Sequence, residues 1–60
     1  MNGTATLINA ETKEVIKDLG EIVYDNTGRV TQMLEEQNFE IIYALEEKGI
    51  YTDIIIKDEK

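Results

Sequence analysis

The sequence predicts an α+β fold: a small single domain over residues 1–60, in which one helix packs on an antiparallel sheet of four to five strands in the order ββ(β)αββ. Three features carry that prediction. Two stretches of alternating apolar and polar residues flank the polar gap AETK, a run of strong helix formers (MLEEQ) follows Gly28, and two more β-rich stretches flank EEKG.

TATLIN (residues 4–9) and EVIKDL (residues 14–19) are the first pair, and the four-residue AETK between them suits a hairpin loop. GEIVYD (residues 20–25) is a third β-rich piece. Gly20 either forms a bulge that lets one long strand run through or separates two short strands, and both readings stay open. Laying LINAETKEVIKDL over IVYDNTGRVTQML at an offset of fifteen residues aligns Thr12 with Thr27, Val15 with Val30 and Leu19 with Leu34. Taken as a repeat, that echo makes the second stretch a hairpin too, and the alternative fold is an all-β small barrel or meander.

The residues downstream favour a helix over 28–37. Val30, Met33, Leu34 and Gln37 follow i, i+3, i+4, i+7 spacing, Asp25 or Thr27 supplies an N-cap oxygen, and Asn38 suits the left-handed position that ends a helix. FEIIYAL (residues 39–45) and IYTDIIIK (residues 50–57) then form a second hairpin, with Gly49 at positive φ in the turn. A helix continued to Lys48 is the rival. It would place Phe39 and Tyr43 opposite the stripe of Val30, Leu34, Ile41 and Leu45, leaving both aromatics in water.

Apolar residues are 42% and charged residues 32% of the chain, a balance that favours folding over disorder. A domain of this length buries only roughly 60% of the surface its unfolded chain exposes, so its stability is marginal without help. The absence of cysteine excludes disulfides, and the absence of histidine removes the usual zinc sites. A partner subunit is the remaining source, and a homo-oligomer is the expectation.

Thirteen Asp and Glu against six Lys and Arg give a net charge of −7, which repels phosphate backbones and anionic lipid surfaces. Direct nucleic-acid binding and membrane association are therefore not expected. The stretch MNGTATLINAETKE has neither the basic nor the apolar segment of a signal peptide, and a cytoplasmic location follows. Asn2, Gly3 and Thr4 match a glycosylation sequon, a short pattern that arises readily by chance.

Chemistry has little to work with. Acyl transfer starts from Ser or Cys activated by His, and the chain has none of the three, so a non-enzymatic protein is predicted. Asp25, Asn26, Thr27 and Gly28 lack the alternating oxygen ligands of a calcium loop. Asn26 also separates Asp25 from the Thr-Gly pair that an aspartic-protease turn requires. A turn with a helix cap explains them. The paired carboxylates Glu35/Glu36, Glu46/Glu47 and Asp58/Glu59 are adjacent and diverge, and the isolated glycines form no phosphate loop, so no metal or cofactor is expected.

If Leu45 pairs with Ile50, then Phe39, Ile41, Tyr43, Leu45, Ile50, Thr52, Ile54 and Ile56 share the face under the helix. Ile42, Ala44, Tyr51 and Ile55 collect on the other face beside Glu40 and Asp53, where a two-layer fold has nothing to cover them. Those four residues are the candidate interface, and Glu35, Glu36, Glu40, Glu46, Glu47 and Asp53 the candidate acidic surface. Together they predict a protein-interaction module. One form is an inhibitor or modulator of a nucleic-acid-binding protein, its carboxylates standing in for phosphates as in small acidic inhibitors of phages and mobile elements. The other is an accessory subunit of a larger assembly, joined through a strand edge or the apolar sheet face.

Overall fold

A computed structural model describes residues 1–58. Strands β1 (Asn2–Asn9), β2 (Val15–Tyr24) and β3 (Val30–Met33) are followed by helix α1 (Gln37–Glu47) and strand β4 (Thr52–Asp58). The strands form one antiparallel sheet in the order β3-β2-β1-β4, so the segment carrying α1 crosses from one edge of the sheet to the other. The α+β class, the antiparallel sheet and its single helix are as the sequence predicts, in the order βββαβ.

The first hairpin forms where expected. Asn9 organises its loop: the side-chain Oδ1 accepts the amides of Glu11 and Thr12, and the carbonyl accepts that of Lys13. Lys13 closes the turn at φ 67°, a left-handed conformation that a residue with a Cβ adopts at a cost.

Gly20 resolves as a bulge within one continuous strand. Ala5 pairs with Gly20 and Thr6 with Asp18, so Leu19 is the extra residue, and Gly20 sits at φ 72°. The bulge has a packing consequence. Leu19 and Ile22 are three apart, and strict alternation would send them to opposite faces, yet both are buried in one core. A second irregularity does the same for β3: Tyr24 pairs with Val30 and Ile22 with Met33, with Thr31 the extra residue, its hydroxyl bonded to the Val23 carbonyl.

The helix begins nine residues downstream of its expected start. Residues 28–36 are not helical: Val30–Met33 is a strand on the β2 edge, and DNTG is the turn of a hairpin, the arrangement echoed by the fifteen-residue offset. Pairing with β2 satisfies the backbone and delivers Met33 to the core, which outweighs the helix propensity of Met, Leu and Gln. FEIIYAL is helix rather than strand, so the expected hairpin with IYTDIIIK does not form. Because α1 starts at Gln37, it has a stripe of its own: Asn38, Ile41, Ile42 and Leu45 sit at i, i+3, i+4, i+7 on its covered side.

Asn38 therefore opens the helix instead of ending it. Gly49 takes positive φ, at 83°, but as the helix stop: its amide bonds to the Glu46 carbonyl and that of Ile50 to the Leu45 carbonyl, the paired bonds of a Schellman motif.

The core is Ala5, Leu7, Leu19, Ile22 and Met33, with Phe39, Ile42 and Leu45 from α1 and Ile54 and Ile56 from β4 packed against it. Leu7 is 0% exposed on the strand between β2 and β4, and burial of such a side chain contributes about 1.5–3 kcal/mol. Among the described residues no helix is long and apolar enough to cross a membrane.

Candidate functional site

The acidic residues gather around α1 because the helix spends its apolar stripe on the core and turns everything else outward. Glu35, Glu36, Glu40, Glu46 and Glu47 are all exposed. Glu36, Glu40 and Glu47 follow one another along the outer face, with Tyr43 and Ala44 between them. At ~1.5 Å rise per residue, Glu36 and Glu40 stand about 6 Å apart along the axis. Tyr43 is 62% exposed, an aromatic set among carboxylates.

The two ends of α1 treat these charges differently. Near the N-terminus Glu35, Glu36 and Glu40 complement the positive end of the helix dipole, and no side-chain cap is present there. The last turn holds Glu46 and Glu47 and no basic residue, so two carboxylates face the negative end.

A shallow cleft of about 360 Å³ runs along the helix where Phe39, Tyr43 and Glu46 approach Arg29, Val30 and Asp53. Asp53 lines this cleft, but its register opposite Ile8 turns its side chain to the sheet face away from α1, apart from the helix carboxylates.

The four interface residues expected on one sheet face are parted by the helix. Ile42 packs on the core, and Ala44 lies on the outer side of α1. Tyr51, just before β4, and Ile55, within it, are 72% and 54% exposed. The face of the sheet away from α1 is only partly open, since Val15 and Ile55 on it are exposed while Ile8 is 5% exposed, and other residues than the expected four fill it. Thr6 stands between Asp18 and Ile55, Ile8 between Val15 and Asp53, and Thr4 between Glu21 and Lys57. Ile8 and Val15 escaped the sequence reading. The signal was present, since strand alternation places Ile8 opposite Leu7.

DNTG is fully occupied by its own turn. Oδ1 of Asp25 accepts the Thr27 amide, the Thr27 hydroxyl and the Arg29 amide, and the Asp25 carbonyl accepts the Gly28 amide. The Thr27 hydroxyl, followed by the Arg29 amide, holds the Asp25 carboxyl below its ordinary value of 3.8. Its role is to fix the β2–β3 turn, and not to cap a helix.

Among the described residues no group of three or more Asp or Glu is placed to hold a metal ion. Glu59 of the Asp58/Glu59 pair lies outside the described residues. No protein-family model, curated protein or solved structure matches the chain.

Proposed function

We propose that this protein is a non-enzymatic, acidic protein-interaction module that acts in the cytoplasm on a partner with a basic surface. The observation that carries the reading is the last turn of α1. Glu46 and Glu47 oppose the helix dipole there, and each such placement costs about 0.3–1 kcal/mol, which a marginal domain has reason to avoid. Solubility alone is served by carboxylates at the other end of the helix. Exposed Tyr43 among these charges supplies the aromatic anchor that binding surfaces favour.

A basic groove built for nucleic acid is the partner class that fits such a surface, with the module as its inhibitor or modulator and the carboxylates in place of phosphates. The lack of Ser, Cys and His supports a role without catalysis, and a chain without cysteine needs no oxidising compartment. The test is capture of the partner from the native host, followed by association kinetics across a range of salt. Association should slow steeply as salt rises, and charge reversal at Glu35 and Glu36 should slow it further. Affinity indifferent to salt sinks the reading.

A second reading, an accessory subunit joined through a strand edge, is favoured by one observation: among the described residues β4 is paired with β1 on one side only.

A further inference from the structure

We propose that β4 pairs antiparallel with β4 of a second copy of this chain, about a two-fold axis through Ile55, joining two four-stranded sheets into one. This pairing goes beyond the acidic-surface reading and does not depend on it.

The free edge is well defined. Among the described residues β4 has β1 on one side and no strand on the other. The Ala10 amide donates to the Tyr51 carbonyl at 2.9 Å, which turns the backbone of odd-numbered β4 residues toward β1 and that of Thr52, Ile54 and Ile56 outward. The Ile54 amide agrees with that phase: it points away from β1 and donates to Oδ1 of its neighbour Asp53 at 2.9 Å, a bond that pairing exchanges for one to the Ile56 carbonyl of the second copy, which releases the Asp53 carboxylate. An edge of this length, without proline or bulge, is a template for another strand.

Geometry and charge select the copy and the register. Opposed residues must share a face, so even-numbered residues meet even-numbered ones and odd meet odd. Centring on Ile55 places Ile54 opposite Ile56 of the second copy, as a reciprocally hydrogen-bonded pair using the outward-facing groups. On the covered side, half-buried Ile54 and Ile56 of both copies then complete one another's burial. On the open side Ile55, 54% exposed, meets its own counterpart. Asp53 meets Lys57 of the second copy, and Lys57 meets Asp53, one opposite-charge pair on each side of the axis. Moving the axis to Ile54 sets Asp53 against Ile55 and loses both pairs. The sequence TDIIIKD is thus self-complementary in one register. Lysine on an edge strand ordinarily discourages pairing, and here the facing carboxylate removes that barrier.

The test is sedimentation equilibrium of the full chain at micromolar concentration, with circular dichroism to verify folding. Wild type should be a dimer. Asp53→Lys sets cation against cation at both facing pairs and Lys57→Asp sets anion against anion, so each alone should weaken dimerisation by about tenfold or more. Mixing the two variants should restore dimers, as heterodimers, and the doubly swapped chain should dimerise with itself. A monomeric wild type overturns the proposal. So does a wild-type dimer that neither single reversal weakens, or single variants that stay apart when mixed. A folding defect in one variant would show by circular dichroism, and the wild-type measurement and the double swap still decide. Partner capture and its salt dependence test the acidic surface separately.

Discussion

Lys17 Nζ donates a 2.6 Å hydrogen bond to Oδ1 of Asn38, fastening the start of β2 to the first turn of α1. Asn38 is 2% exposed, the buried polar residue of the helix, whereas Lys17 keeps partial access to water. The bond is therefore asymmetric. Removing the lysine strands a buried carbonyl oxygen, while removing the asparagine frees an ammonium that can rehydrate.

Lys17→Met should accordingly cost about 1–3 kcal/mol in denaturant unfolding, and the pair Lys17→Met with Asn38→Leu should recover most of it. Additive losses in that double-mutant cycle would show that the two side chains do not act together.

Gly3 is fixed by a close approach. A Cβ there would collide with the carbonyl of Lys57 on β4 and press on the Tyr24 ring. Gly3→Ala should lower stability by about 1–3 kcal/mol, because a strand backbone cannot yield as a side chain can. A melting temperature equal to wild type would mean that β4 moves aside at no cost.

Lys13 offers the opposite opportunity. Its φ of 67° costs an L-residue about 1–2 kcal/mol, and glycine's extra flexibility in the unfolded chain returns part of that gain. Lys13→Gly should stabilise by about 0.5–1 kcal/mol, raising the melting temperature by a few degrees, and Lys13→Val should destabilise. A loss with glycine would place the loop in another conformation in solution.

Asp25 gives the fold an acid limit. Its carboxyl titrates lower in the folded chain than in the unfolded one, because the ionised form accepts the Thr27 hydroxyl and the Arg29 amide. Its stabilising effect is thus complete above the ordinary value of 3.8 and fades as pH falls through the lower folded value. Asp25→Asn keeps an acceptor oxygen but does not titrate. The melting-temperature gap between wild type and this variant should hold while the pH stays above the ordinary carboxylate value and narrow as the pH falls below it. A gap that persists at the lower pH would show that the charge contributes nothing. Asp25→Ala, which removes the acceptor, should be less stable than Asp25→Asn at neutral pH.

Glu47→Lys separates stability from binding. Placing a cation in the last turn of α1 should raise stability by about 0.3–1 kcal/mol while slowing association with a basic partner. A variant that is more stable and binds equally well would make Glu47 a bystander.

The sequence by itself determined what local chemistry can encode. Asn9 and the AETK loop define the first hairpin, alternation over TATLIN puts Ala5 and Leu7 in the core, and Gly20 and Gly49 occupy left-handed positions. The antiparallel α+β class and the exposure of Tyr51 and Ile55 follow from the same patterns. Tertiary structure alone decided where the helix begins. Gln32 and Met33 are helix formers, but Val30 and Thr31 are β-branched, β2 offers the segment a ladder of hydrogen bonds, and the bulge at Thr31 lets Val30 and Met33 reach one side of the sheet. With that segment committed, α1 takes Gln37–Glu47, and its stripe is hard to read because the first position is Asn38, a polar residue whose burial depends on Lys17 from a distant strand. The candidate interface changed for the same reason: Ile42 and Ala44 share a face with Ile55 only if residues 39–45 are a strand, and the period of two becomes a period of 3.6 once they coil.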